Sequence, residues 1–498
     1  MNLASVLDRH PADDVALVSR GRTTTYAVLR EQVAALRSGF VGLGLQPGDR
    51  VGILCGTNWY FVAAYLSALG AGLVAVPLNP TSPARELENE LGAVGARAIF
   101  VAPAGLSSLS RLDRSRLPAL EHCIVTDNVD VPGGVLLNDL LATEPSVALV
   151  ERDDDDLAVL MFTSGTAGFP KAAMLTHGNL RSNIEQMQAN EARMQTPADV
   201  SLGVLPLSHI FGLNVVLGVS LHAGSRVVLV ERFDPISALE AVQRHGVTIL
   251  PGAPGMWTAW ATLTGAPDDA FASVRIAASG AAKLPLEVGE TFKRRFGIVI
   301  AEGYGLTEAS PVVTTSAGGD EKPGSIGAPL PGVRVRLVDA EGQDVLVGDP
   351  GEIWVSGPNV FKGYWNDEDA TAAALTEDGW LRTGDVAVVD DDGELFLVDR
   401  VKDLIIVSGF NVFPAEVESV LLEHPAIEAC GVIGVSHPYT GEAVKAYVVV
   451  AAGRSVEEDE LIAFCADRLA RYKCPEKVMF VDEIPLGSSG KVLRRTLA

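Results

Sequence analysis

Along the first two thirds of the chain, short apolar runs alternate with stretches in which apolar residues recur every three or four positions. Residues 51–55, 98–102, 158–162, 226–230 and 298–301 read as strands, and residues 26–43, 59–69, 84–94 and 236–244 read as helices. This alternation predicts layered α/β structure with helices on both faces of sheets. Beyond residue 329 the texture changes. Residues 333–339, 351–356, 386–389 and 394–398 read as β segments, the last two joined across the hairpin-turn signal Asp391-Asp392-Gly393. Residues 414–423 predict a short helix that stops before Pro425, residues 444–450 a strand, and residues 457–469 an amphipathic helix.

Three stretches, 51–84, 200–225 and 246–267, carry no formal charge. A membrane-spanning helix needs ~20 mainly apolar residues in succession. Each stretch is broken by Pro, Gly, Asn or His, as by Pro206, His209, Asn214 and His222 in the second. They are expected to be buried strands and helices, because strands covered on both faces also read as continuous apolar runs.

A chain of 498 residues exceeds one ordinary core, so two or more domains are expected. The expected division is 1–398, a hinge at 399–403, where Asp399-Arg400-Val401-Lys402-Asp403 forms a charged knot, and a small α/β domain at 404–498. The net charge of −24 argues against nonspecific nucleic-acid binding and against a polybasic membrane patch. Phosphorylated ligands must then be held by local donors. Cys55, Cys123, Cys430, Cys465 and Cys474 are scattered and form no Cys-x-x-Cys pair, which suits reduced thiols and gives no metal site. Residues 1–14 lack a basic start followed by an apolar run, so a cytoplasmic location without a transmembrane segment is expected. The acidic run 153–156 reads as a solvated loop ahead of a strand, with a metal site as the lesser alternative.

The strongest chemical signal is Thr163-Ser164-Gly165-Thr166-Ala167-Gly168-Phe169-Pro170-Lys171, directly after an apolar run. Hydroxyls and glycines after a strand let backbone N–H groups surround an anion, and Lys171 adds a point charge. Pro170 stands where a Walker A loop needs glycine, so that motif is excluded. Glu302-Gly303-Tyr304-Gly305-Leu306-Thr307-Glu308 offers an aromatic face for a base and a carboxylate for Mg²⁺. Trp380-Leu381-Arg382-Thr383-Gly384-Asp385 carries an acid suited to a ribose diol, and Pro485-Leu486-Gly487-Ser488-Ser489-Gly490-Lys491 puts a lysine on a Gly/Ser loop. Taken alone, Asp385 reads as a turn former and Lys491 as a solvated tail lysine.

Together, and in this order over nearly the whole chain, these motifs resemble the adenylate-forming superfamily of acyl-CoA synthetases, peptide-synthetase adenylation domains and firefly luciferase. The resemblance implies a large N-terminal domain of packed sheets and helices with a small mobile C-terminal α/β domain. It implies that 163–171 is the phosphate loop, and that Gly280, Ala281 and Ala282 with Glu302, Gly303, Tyr304 and Gly305 frame the adenine, with Thr307 beside them. Thr166 and Glu308 would serve Mg²⁺, Asp385 and Arg400 the ribose, and Lys491 the α-phosphate and the carboxylate. Lys402 matches the hinge. His209, with Phe211 and Gly212 after it, matches the gate of the acyl pocket, and Ser408, Gly409 and Phe410 match the wall of the pantetheine tunnel. By itself His209 also reads as a satisfied core histidine. Ala167, Ala172 and Lys283 depart from the usual Thr, Gly and Pro of the family pattern.

The implied reaction takes a carboxylic acid and ATP to acyl-AMP and pyrophosphate, then to acyl-CoA and AMP. Its main obstacle is repulsion between a carboxylate and the α-phosphate, which positioning and positive charge overcome. The segment 208–214 has no acid to hold an α-amino group, and 204–221 is rich in aliphatic residues. A fatty acid is therefore expected, and Val407-Ser408-Gly409-Phe410-Asn411-Val412 looks most like bacterial medium- to long-chain fatty acyl-CoA ligases. A carrier-protein acceptor, or an aryl or small acid, is the alternative. The sequence leaves oligomeric state and peripheral membrane contact open. No Gly-x-Ser-x-Gly or His-Glu-x-x-His motif supports a hydrolase.

Overall fold

The computed structural model describes residues 1–498 except 127–130, 164–169, 193, 320–321, 401–402, 404, 408–409, 438–440, 470, 487–491 and 498. Of residues 399, 400, 406, 410, 411, 441 and 495 it describes the backbone alone. The chain forms two compact units. The first comprises Met1–Lys322, Pro329–Arg334 and Val355–Leu381; the second comprises Pro323–Ala328, Val335–Trp354 and Arg382–Ala498.

Two twisted sheets dominate the first unit. In one, the strands Arg50–Leu54, Val74–Leu78, Ala98–Val101, His122–Val125 and Gly134–Leu136 run parallel, and Leu157–Thr163 continues the sheet beside Val74–Leu78. The strand Lys171–Thr176 closes its edge antiparallel to Leu157–Thr163. In the other, Val200–Gly203 lies between Arg226–Leu229 and Ile249–Gly252, followed outward by Ile276–Ser279 and Ile300–Gly305, all parallel. Parallel pairs need long crossovers, and the intervening helices supply them while covering the sheets.

Local chemistry sets the helix limits. The side chain of Thr25 accepts from Val28 N–H at the start of Tyr26–Gly42, and Asn58 accepts from Tyr60 N–H at the start of Trp59–Gly70. Ala84–Val94 ends at Gly95 and Pro235–His245 at Gly246, both left-handed at φ 57° and 60°. The three uncharged stretches are mainly buried strands and helices, with exposed connections at 79–83 and 262–267. Trp59–Gly70, for example, is buried from Phe61 to Gly70. Among the described residues, no helix is long and apolar enough to cross a membrane.

The second unit holds a sheet ordered Arg334–Val338, Gly351–Ser356, Leu381–Val389, Leu395–Arg400, in which the last two strands form the antiparallel hairpin expected around Gly393. It also holds a sheet in which Gly441–Val450 pairs with Ile405–Val407, Ile427–His437 and Lys477–Phe480. The helices Pro414–Leu422 and Glu458–Ala466 cover this sheet, burying Val417, Leu421, Leu461 and Cys465 against Val432, Val444 and Val448. The fold is the mixed α/β architecture that the motifs implied.

One expectation is corrected. The strand expected at 298–301 spans Ile300–Gly305, so the Glu302–Gly305 motif lies on the strand rather than after it. Helix Leu286–Phe296 ends at Gly297 (φ 69°), and exposed Val299 still belongs to the connection. Phe211–Gly218 is a π-helix, which no periodicity announced. In the run 153–156, Asp154 is held by Arg181 at 2.7 and 2.6 Å and by the Met1 ammonium at 3.1 Å. These cations keep its carboxyl well below the usual range. No described group of three or more His, Cys, Asp or Glu residues could hold a metal there.

Candidate functional site

Thr163 and Lys171 are Cα partners at the end of the antiparallel pair, and Thr163 Oγ1 donates to the Lys171 carbonyl at 3.4 Å. The two strands thus close the base of the loop between them. Ser164, Gly165, Thr166 and Gly168 lie outside the described residues. The Lys171 ammonium sits 5.3 Å from the Tyr364 ring centroid and 3.7 Å from Asp367 Oδ2. Tyr364 OH donates to Glu308 Oε1 at 2.7 Å, across 56 residues of sequence.

This meeting of Lys171 and Glu308 through Tyr364 has a backbone cause. Residues 362–365 run along the strand Lys171–Thr176. Lys362 N–H donates to Met174 O at 3.0 Å, Met174 N–H to Gly363 O at 2.9 Å, and Trp365 N–H to Ala172 O at 2.8 Å. Phe361 N–H donates to Glu308 O at 2.8 Å, which ties the turn Thr307–Ala309 to the same segment. Burial first, then the charge and hydrogen bond of Glu308, push the Tyr364 phenol above its ordinary pKa, so it remains a donor. Tyr364 and Asp367 were not singled out from sequence. The only trace of them there is an aromatic pair beside a glycine in Gly363-Tyr364-Trp365.

A second group forms where Ile276–Ser279 meets Ile300–Gly305, with Ser279 and Glu302 as Cα partners. Glu302 Oε2 accepts from Leu284 N–H at 3.1 Å. Burial pushes the Glu302 carboxyl up, against the opposing pull of that N–H and of Lys283. Ala281 has φ 72°, a left-handed conformation uncommon for a residue with a side chain and one that collects at functional sites. Gly280 lies so close to Phe211 that an added Cβ would stand 3.1 Å from its Cε1, with Gly303 O at 3.5 Å. The structure thus joins Gly280, Gly303 and Phe211. Tyr304 is buried. Gly305 has no room for a side chain, since a Cβ would stand 2.1 Å from Pro311 O.

His209 is exposed, which removes the reading of a core histidine. Its Nδ1 accepts from Phe211 N–H at 3.2 Å, which leaves the proton of a neutral ring on Nε2. Gly212 starts the π-helix under the Pro206 carbonyl, where a Cβ would stand 2.2 Å from the oxygen. Asn214 Nδ2 then pins the helix to Leu180 O and Ser310 O at 3.0 and 2.7 Å. Beneath Phe211, Val215, Val216 and Val219 of this helical segment face Pro251, Ile276 and Ala278 of the sheet across a narrow apolar cavity.

In the second unit, Asp385 is buried and is the Cα partner of Arg400. Its N–H donates to Thr383 Oγ1 at 3.1 Å, and the neighbouring Gly384 N–H donates to Glu352 Oε1 at 2.9 Å. Lys402, Ser408, Gly409 and Lys491 lie outside the described residues, as do the side chains of Arg400 and Phe410. Leu486 and Val492, which flank the Gly/Ser loop of Lys491, are bridged to each other.

The model of the AMP-binding enzyme family matches residues 3–365, and that of the AMP-binding enzyme C-terminal domain matches residues 416–491. The chain belongs to this family. It is similar to a feruloyl-CoA synthase from an Amycolatopsis species, 40% identical over 481 residues, covering 95% of this chain and 93% of the relative. It is also similar to a long-chain-fatty-acid–CoA ligase of Bacillus subtilis strain 168, 34% identical over 514 residues, covering 97% and 91%. Among solved structures, the ATP-bound MatB of Rhodopseudomonas palustris superposes with a TM-score of 0.92 at 32% identity, covering 100% of this chain and 98% of that one. The AMP-binding enzyme described here is an ATP-dependent, AMP-forming acid–CoA ligase, which makes an acyl-adenylate and then a thioester.

Proposed function

We propose that this AMP-binding enzyme activates an apolar carboxylic acid of fatty type, with ATP and Mg²⁺, and hands the acyl group to the thiol of coenzyme A. The observation that carries this reading is the Lys171–Tyr364–Glu308 cluster at the closed base of the 163–171 loop. The apolar cavity beneath Phe211 supports an apolar acid. The 40% identity to a feruloyl-CoA synthase favours a second reading, an aryl-propenoic acid.

In the first half-reaction a carboxylate oxygen attacks the α-phosphorus and pyrophosphate leaves. Thr163–Lys171 cradles the phosphates, and the Lys171 ammonium offsets their charge. Gly280–Ala282 and Glu302–Gly305 frame the adenine with Thr307, and Asp385 and Arg400 hold the ribose. Mg²⁺, when bound, would neutralise phosphate charge; the Glu308 carboxylate aligned by Tyr364 is a hard oxygen donor suited to hold it, and Thr166 would share that role. Lys491 brings positive charge to the α-phosphate and the carboxylate. No general base is needed, because a carboxylic acid is already ionised at pH ~7.

In the second half-reaction the thiol sulfur attacks the acyl carbon, the thiol proton passes to solvent, and AMP leaves. Ser408, Gly409 and Phe410 line the pantetheine path, and His209 with Phe211 and Gly212 gates the acyl pocket. Residues 399–403, with Lys402, form the hinge between 1–398 and 404–498, so that Lys491 withdraws before the thiol arrives. The five cysteines are unbridged, which supports a reducing, cytoplasmic setting.

Lys491→Ala tests the reading. It is expected to remove acid-dependent ATP–pyrophosphate exchange while sparing thioester formation from supplied acyl-AMP. Undiminished exchange would remove Lys491 from the site, and equal loss of both steps would end the division of labour.

A further inference from the structure

The cavity beneath Phe211 does not end in hydrocarbon. Its depth follows from strand register. Ser201, Ile249 and Ile276 stand at one level across three adjacent strands, and Pro251 and Ala278 stand one step nearer the mouth. Gly280, against Phe211, lies four residues beyond Ile276, or ~13 Å at ~3.3 Å per strand residue.

Gln195 and Ser201 form the floor of this cavity. Gln195 is buried and clamped by Gln188, whose Oε1 accepts the Gln195 N–H at 2.8 Å and whose Nε2 donates to the Gln195 carbonyl at 3.1 Å. Three hydroxyls surround its side-chain oxygen, with Ser201, Ser220 and Ser225 Oγ at 3.3, 3.2 and 3.3 Å. Ser220 Oγ also donates to Ser201 Oγ at 2.9 Å. The amide orientation is therefore set by its oxygen. Its Nε2, with two hydrogens to give, donates to no described group. A shaft lined by valine, isoleucine, proline and alanine would otherwise be closed most cheaply by another aliphatic residue. A donor held in place by a ring of serines on the lining of this cavity is a recognition element, because a polar substrate end there gains a hydrogen bond that an aliphatic end does not.

Resting on the acid-activating reading above, we propose that Gln195 recognises the far end of the substrate: a carboxylic acid whose distal end bears an oxygen acceptor. A terminal hydroxyl on an alkyl chain and a phenolic hydroxyl on an aryl-propenoic acid share this chemistry. Gln195 acts on specificity and takes no part in bond making.

The experiment measures kcat/KM in pyrophosphate exchange for two pairs, ω-hydroxydecanoate against decanoate and para-hydroxycinnamate against cinnamate. The wild-type ranking needs no variant and is read first. At least one hydroxylated acid is expected to exceed its parent by ~10-fold, the worth of one well-made hydrogen bond in a dry site. Which pair shows the preference tells the alkyl source from the aryl one. Gln195→Met keeps the length of the side chain and removes the donor without offering a strong acceptor to the substrate hydroxyl. It is expected to abolish the preference while the parent acids are still activated. Parents used as well as hydroxylated acids, or a preference that survives Gln195→Met, would overturn the proposal and leave the acid-activating reading standing. Absence of exchange with all four acids would overturn both.

Discussion

Replacing Tyr364 with phenylalanine isolates one hydrogen bond. The phenol donates to Glu308 Oε1 at 2.7 Å, while its ring carries the Lys171 ammonium at 5.3 Å and meets Phe361 edge-on at 4.9 Å. Phenylalanine keeps both ring contacts and removes only the donor. A hydrogen bond to an ionised carboxylate contributes about 1.5–3 kcal/mol, which corresponds to roughly a 10- to 150-fold change in rate if the alignment it provides is needed at the transition state. The predicted result is a fall of at least ~10-fold in pyrophosphate exchange, with a higher Mg²⁺ concentration for half-maximal rate. The melting temperature should change little, because Glu308 is half-buried and water can replace the lost donor. The phenol pKa is raised, so the proton stays on Tyr364 and the ratio of wild type to variant should be flat between about pH 6 and 9. A variant with the wild-type rate and the wild-type Mg²⁺ response would refute the claim that Tyr364 positions Glu308. A loss of stability without a change in Mg²⁺ response would reduce Tyr364 to a packing residue.

Two further predictions concern stability and close packing. Burial, then repulsion from Glu86, pushes the Glu90 carboxyl from 4.5 up to about 8, and among the described residues its Oε2 has no hydrogen-bond partner. The unfolded chain releases this proton near 4.5 and the folded chain only near 8, so its contribution to stability is full below about 4.5 and is lost as pH rises through about 8. Glu90→Gln should therefore gain on wild type in thermal melts as pH rises, by at most ~4–5 kcal/mol; a gap independent of pH would contradict this. Gly212→Ala would place a Cβ 2.2 Å from the Pro206 carbonyl, backbone that has nowhere to go, and should cost ~3 kcal/mol in a denaturant titration. Gly280→Ala presses on the Phe211 ring at 3.1 Å and meets Gly303 O at an ordinary 3.5 Å, so it should stay folded and raise the KM for the acid or ATP several-fold; equal melting losses in the two variants would refute the distinction.

Much of the fold was legible because parallel strands buried on both faces leave long uncharged runs, and the helices between them carry their own caps at Thr25, Asn58 and Gly95. The π-helix at Phe211–Gly218 was not legible. Its residues are apolar all round, and its geometry follows from Gly212 seating under Pro206 O and Asn214 reaching Leu180 and Ser310. The start of the strand at Ile300 was misread because apolar residues in a connection look like apolar residues in a strand.

From the sequence alone came the chemistry: the Gly/Ser loop before Lys171, the acids at Glu308 and Asp385, and the terminal Lys491 in an order that belongs to acid activation. Those residues are legible because a reaction constrains residue type locally, whatever surrounds it. Tyr364 and Gln195 were decided only by tertiary structure. Tyr364 reaches Glu308 because the 362–365 segment zips along the strand Lys171–Thr176. Gln195 floors a cavity because three serines from separate elements converge on its oxygen. A hydrogen bond between residues far apart in the chain leaves no local pattern, since it depends on where the backbone brings two side chains and not on the neighbours of either.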